Sequence, residues 1–288
     1  MADKAVVTQT TLDLIGQAII AKGGATAPMT PAQMKDAILA IPSGEEPDIA
    51  KTLEEDTDTR ESKAIILLTN APESSAFSGA SAYRFSDAPD EIVTSGSHVW
   101  NRQRDINGKF RWVMLYGATI SFVFNTNLEI LKIRVKDGGV YNLIRRSFIN
   151  CYNLSWISGG ELTLTSVDGC FSGANGIRGL ESKMIVEDAS LTSATGMFTN
   201  AVSLQFLPQR SHFVNGTSLS FTSCKLIDRD SFAVIANGVV TGGFIHGLDA
   251  VTSGTLTMNE ELKNKFDETT ERQIVADALS AKGWTLAW

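Results

Sequence analysis

The residues of this 288-residue chain best suited to moving protons near neutral pH are three histidines, His98, His212 and His246. They lie far apart, and none stands in a zinc spacing such as His-Glu-x-x-His. No Gly-x-Ser-x-Gly elbow is present, so a Ser-His-Asp triad would have to be assembled wholly by the tertiary fold. Asp168, Glu181, Glu187 and Asp188 could supply the carboxylate pair of a glycosidase, but loop acids are common in a chain with 32 Asp and Glu. The run 172–176, Ser-Gly-Ala-Asn-Gly, lacks the following lysine and the flanking strand and helix of a phosphate loop. Glu54, Glu55, Asp56 and Asp58 lack the glycine and spaced oxygen ligands of a calcium loop. Cys151, Cys170 and Cys224 have no metal spacing and cannot all pair. The expectation is therefore a non-enzyme: no catalytic residue, no cofactor and no metal.

The elements that would position any surface chemistry come from one recurring pattern between residues 118 and 207. It reads small-apolar, three residues, Phe, five residues, Leu or Ile, two residues, Leu or Ile. The four copies are Ala118/Phe122/Leu128/Leu131, Ile144/Phe148/Leu154/Ile157, Val167/Phe171/Ile177/Leu180 and Ala194/Phe198/Leu204/Leu207. Fixed internal spacing with variable gaps predicts a repeat array in which stacked units share one core. Cys151 and Cys170 sit beside repeat phenylalanines, where a free thiol serves as a small apolar side chain. Tyr141, Tyr152, Trp156 and Phe206 do not match the inward positions. They are candidates for a surface that stacks on sugar rings or a protein partner, with Arg146 among a strip of Arg145, Arg178 and Arg210. The alternative is that these aromatics fill gaps between coils.

Flanking segments surround this body. Residues 10–42 predict a helical hairpin. Leu12, Ile15 and Ile19 form one apolar stripe, Met34, Ile38 and Ile41 the other, and Thr30-Pro31-Ala32-Gln33 opens the second helix. Residues 45–62 are acidic and apolar-poor, which predicts a solvated linker. Residues 63–117 predict β structure, with Ala64-Ile-Ile-Leu-Leu68 as a buried strand and Asn107-Gly108 as a hairpin turn. Towards the end, helices are expected at 259–266 and 270–282, the second with Thr270-x-x-Gln273 as capping box and Gly283 as its stop.

Three stretches carry a family resemblance. Ile144-Arg-Arg-Ser-Phe148-Ile-Asn-Cys151-Tyr-Asn-Leu154-Ser-Trp-Ile157 resembles the unit of a leucine-rich-repeat class found in bacterial surface proteins and phage tail-associated proteins. The run Ile19-Ile-Ala-Lys-Gly-Gly with Met29-Thr-Pro-Ala-Gln-Met-Lys-Asp-Ala-Ile38 resembles a module at the start of many phage tail-associated proteins. Gly254-Thr-Leu-Thr-Met258 followed by Ala281-Lys-Gly-Trp-Thr-Leu286 resembles the terminal cap of phage-encoded repeat proteins. The resemblance implies an α+β fold: a leucine-rich-repeat-like solenoid at 118–226, a β-rich N-terminal cap at 63–117, an α/β C-terminal cap at 227–288 and the helical hairpin at 1–44. It implies a bacteriophage virion protein, a tail fibre or tail-associated attachment protein. Its partners would be other virion proteins through the hairpin and a host-surface glycan or protein, and it would form a homo-oligomer, a trimer. A bacterial surface or secreted adhesin and, less readily, a tail glycan hydrolase are the alternatives.

Composition narrows the partners. The net charge of −7 opposes broad capture of nucleic acid or anionic membrane. No apolar window is long enough to span a bilayer. The first residues lack the basic and apolar regions of a secretory signal, so a form made in the cytosol that stays there or leaves by lysis is expected; the resemblance implies a virion protein made in the cytoplasm of a bacterial host.

Overall fold

The computed structural model of the chain describes residues 46–60, 62–69, 75–77, 79–100, 110–117, 120–122, 130–143, 148, 151–164, 170–186, 194–214, 217–267 and 270–288. At its centre lies the strand Ser62–Leu68, whose residues from Ala64 to Leu68 are all fully buried. Burial on both faces explains why this segment is an unbroken apolar run. Side chains alternate across it. Ala64, Ile66 and Leu68 join the large core, while Ile65 and Leu67 pack on the other face with Ile49, Leu53, Met114 and Tyr116. The strand pairs antiparallel with Arg111–Gly117 and Ile130–Val135. Ala82–Phe85 and Ala88–Val93 extend the sheet on one side. On the other side the polarity reverses: Trp156–Ser158 runs parallel to Ile130–Val135, and Gly179–Leu180 parallel to it, completing seven strands.

A second sheet is wholly parallel and holds Ile120–Phe122, Val140–Leu143, Glu161–Leu164, Lys183–Val186 and Ser211–His212. A third, also parallel, holds Ser218–Ser220, Gly254–Thr257 and Trp284–Ala287. Phe148, Phe171, Phe198 and Phe221 form a ring ladder with centroid spacings of 5.4, 5.6 and 5.3 Å. Each starts a tight turn: its carbonyl accepts from the backbone N–H of Cys151, Ala174, Ala201 or Cys224 respectively.

These sheets correct the expected fold class. The described chain is mixed α/β, mostly strands in several sheets with few helices, rather than an α+β leucine-rich-repeat-like solenoid between caps. The intervals at 156–164 and 179–186 each make two short strands that enter different sheets, and one of those sheets grows out of an antiparallel core. Periodicity reports which side chains turn inward; it does not report strand partners. The helical hairpin at 10–42, with Leu12, Ile15, Ile19, Met34, Ile38 and Ile41, lies outside the described residues, as does the Asn107-Gly108 turn.

The acidic stretch is anchored rather than solvated. Asp48 caps the helix Ile49–Glu54 by accepting from Lys51 N at 3.0 Å, and Ile49 and Leu53 are buried beneath it. Beyond the helix, the side chains of Asp56 and Lys63 are both fully buried and ion-paired. Arg84 reaches the other Asp56 oxygen at 2.7 Å, and the Tyr116 hydroxyl donates to it at 3.0 Å.

Near the C-terminus, Asn259 caps the helix Glu260–Lys263 through Leu262 N at 2.8 Å, and its amide donates to the carbonyls of Phe221 and Cys224 at 2.8 and 2.9 Å. That single buried side chain fastens the last ladder turn to the C-terminal elements. Helix Glu271–Ser280 lacks the expected capping box, since the Thr270 side chain makes no cap bond. Its stop is as expected: Gly283 has φ +79°, and a Cβ there would lie 1.9 Å from the Val251 carbonyl.

Candidate functional site

Strand register aligns Lys132, Trp156 and Gly179 across the seven-stranded sheet, and Gly179 bridges on to Phe206. Their chain neighbours Ile133, Ile157, Leu180 and Leu207 are buried, so this row lies on the opposite, outer face. A line of backbone bonds holds the row rigid: Ser155 N to Leu131 O and Arg178 N to Ser155 O at 2.8 Å, then Gln205 N to Arg178 O and Asp228 N to Gln205 O at 2.9 Å.

The Trp156 indole lies flat over Gly179. A Cβ at residue 179 would sit 2.7 Å from two indole carbons, so only glycine admits the ring there. The indole then meets Phe206 at 5.4 Å between centroids, the planes inclined by 46°. Trp156 is half-buried and Phe206 is 38% exposed. Among the described residues the indole N–H has no protein hydrogen-bond partner.

On its other side Trp156 walls a cleft of about 390 Å³, shared with Glu46, Asp48, Lys132, Arg134 and Ser158. Lys132 and Glu46 form an ion pair across it. Arg134 is only loosely held, its Nη2 donating to the exposed Asp137 at 3.3 Å. The cleft thus offers fixed donors and acceptors of both signs beside an open aromatic shelf. Among the described residues it has no nucleophile and base in hydrogen-bond contact.

Of the residues singled out from sequence, Trp156 and Phe206 come together. Tyr152 is 60% exposed but makes no ring contact with them. Tyr141 is fully buried, and burial pushes its phenol well above the usual range, so it belongs to the core rather than the binding surface. Arg146 lies outside the described residues with Arg145, while Arg178 and Arg210 are exposed. Sequence reasoning missed Lys132, Arg134 and Ser158. The polar alternation of Ile130–Val135, Ile-Leu-Lys-Ile-Arg-Val, was a signal that Lys132 and Arg134 share one face.

The histidines do not converge. His98 Nε2 lies 2.7 Å from Asp87 between Phe85 and Trp100, His212 pairs with Asp249 at 3.1 Å, and His246 is exposed. Glu181 is exposed, and Asp168, Glu187 and Asp188 lie outside the described residues. Among the described residues no group of three His, Cys, Asp or Glu is placed to hold a metal.

All three cysteines are buried, and none of them forms a disulfide. Burial pushes the thiols of Cys151 and Cys224 up to about 12 from 9.0. A thiol reagent at pH 8 should therefore leave the native chain unlabelled and label all three cysteines in denaturant. Fast labelling of the native chain would contradict their placement. Above pH 9 the unfolded thiols ionise while the folded ones stay protonated, so these groups lower stability as pH rises from about 9 towards 12.

Compared with known proteins, the chain matches no family, no curated protein and no solved structure. Among the described residues no helix is long and apolar enough to cross a membrane.

Proposed function

We propose that this chain is a non-enzymatic bacteriophage virion protein, a tail-associated component that attaches to a ligand on the host surface. The observation that carries the attachment reading is the Trp156–Phe206 pair, held half-open on a row of hydrogen-bonded strands. A large aromatic surface that is already rigid costs little ordering entropy when it binds. The virion reading is supported by the resemblance of residues 19–38 to a module of phage tail-associated proteins, of 144–157 to a repeat unit shared by bacterial surface and phage tail-associated proteins, and of 254–286 to the terminal cap of phage-encoded repeat proteins.

In this reading residues 1–44 join the chain to other virion proteins and to its own copies as a trimer. The support is the pair of apolar stripes, Leu12/Ile15/Ile19 and Met34/Ile38/Ile41, in a segment too short to bury both against itself. Deleting residues 1–44 should convert a trimer into a monomer by light scattering and abolish incorporation into particles, while the remaining chain keeps its melting transition. Normal incorporation of the truncated chain would refute the docking role.

A further inference from the structure

We infer that the cleft and the Trp156–Phe206 shelf form one continuous subsite for a neutral, hexose-type oligosaccharide. The inference rests on the attachment reading of this face and names its ligand class. From Lys132 through Trp156 and Gly179 to Phe206 the row crosses three strand spacings, about 14 Å at 4.7–4.9 Å each. That is the reach of a short oligosaccharide laid across the strands.

The chemistry along the row selects a sugar. The face of an aromatic ring carries the negative part of its quadrupole, and the C–H face of a pyranose is weakly positive and apolar. The Trp156 indole offers such a face, kept flat by the absence of a side chain at Gly179, and Phe206 inclines at 46° to form the second wall. The indole N–H, unpartnered by protein among the described residues, is a donor at the edge of the shelf. In the cleft, Glu46 accepts, Lys132 and Arg134 donate and Ser158 can do either. A sugar hydroxyl is both donor and acceptor, so a polyol can engage groups of both signs at once. An anionic ligand would meet Glu46 and Asp48 beside Lys132 and Arg134, so the cleft gives it no net attraction, on a chain of net charge −7. A purely apolar ligand would have to strip water from the Lys132–Glu46 pair without replacing it. A protein partner would need about 800 Å² from each side, centred here on two rings with a charged rim.

The test uses the full-length chain on an array of immobilised neutral, uronic-acid-containing and sulfated oligosaccharides, followed by calorimetric titration of the best-retained neutral hexasaccharide. Neutral hexose oligosaccharides should be retained in preference to acidic ones. Trp156→Ala should weaken the titrated affinity at least about tenfold. Gly179→Leu, which forces the indole off the backbone, and Phe206→Ala should each weaken it as well. Tyr152→Ala, on a separate exposed turn, should bind as wild type; melting curves confirm that each variant is folded. Retention of acidic glycans in preference to neutral ones, or equal affinity for wild type and Trp156→Ala, would overturn the inference. Adsorption of particles to host cells separates the two readings. Should no neutral glycan be retained while Trp156→Ala particles lose adsorption, the attachment face stands and its ligand is not a sugar. Should Trp156→Ala particles adsorb normally, the attachment face itself falls.

Discussion

Replacing Asp56 with alanine should destabilise the chain by about 3–5 kcal/mol, read as a shift of the urea midpoint. The Lys63 ammonium is fully buried, and its contacts are the Asp56 carboxylate and the backbone carbonyls of Asp56 and Asp58. Arg84 and the Tyr116 hydroxyl bind the same carboxylate at 2.7 and 3.0 Å. The guanidinium of Arg84 and the Lys63 ammonium also lie 5.7 Å from the Tyr116 ring centroid. Removing the carboxylate leaves a buried cation without its ion-pair partner, and the more distant Asp58 carboxylate offsets only part of its desolvation cost. The double variant Asp56→Ala/Lys63→Met should recover much of the loss, because neither charge is then stranded. A single variant that melts like wild type would mean that residues 46–60 are not fastened to the sheet. The network also stabilises the cleft, since Glu46 and Asp48 stand on the same fastened segment.

Phe171→Ala should cost a similar about 3–5 kcal/mol, as a large-to-small change in a packed core. Phe171 is fully buried, with Phe148 at 5.4 Å on one side and Phe198 at 5.6 Å on the other. Its backbone N–H donates to Met197 O at 3.0 Å and its carbonyl accepts from Ala174 N at 3.1 Å, so the turn cannot collapse freely into the space left behind. Phe148→Ala should behave alike. The double variant should cost less than the sum of the two, because the rings share a contact and the first loss already includes part of the second. Near-wild-type melting of both single variants would show that the ladder is not a core.

Sequence alone determined the inward set of side chains in three of the four copies; in the first, the expected Leu131 is half-buried against the opposite cluster, and Ile133 stands in register with Ile157 instead. Phe148, Phe171 and Phe198 and their Leu/Ile partners at 154, 157, 177, 180, 204 and 207 are all buried, because the direction of a side chain follows from its position within its own turn or strand. The same local rule put Trp156 and Phe206 outside, each immediately before an inward residue. It failed at Tyr141. Val140-Tyr-Asn-Leu143 offers apolar residues to both faces of its strand, so alternation does not choose between the faces, and register in the parallel sheet buried the tyrosine.

What tertiary structure decided was every relation between distant segments. The expected solenoid rested on the spacing of inward residues, and spacing does not tell which strands pair. Hence the buried strand at 64–68 was legible, but neither its pairing with Ile130–Val135 nor the division into several sheets was. Asp56 looked solvated because its partners stand 7, 28 and 60 positions away, at Lys63, Arg84 and Tyr116. The candidate site has the same origin. Trp156 needs Gly179 beneath it and Phe206 beside it, and Lys132 meets Glu46 across 86 positions. Periodicity is a property of neighbouring residues on one backbone, whereas register and charge pairing exist only once the chain has closed the loops between them, which is why side-chain direction was largely legible in the sequence and the pairing of distant segments was not.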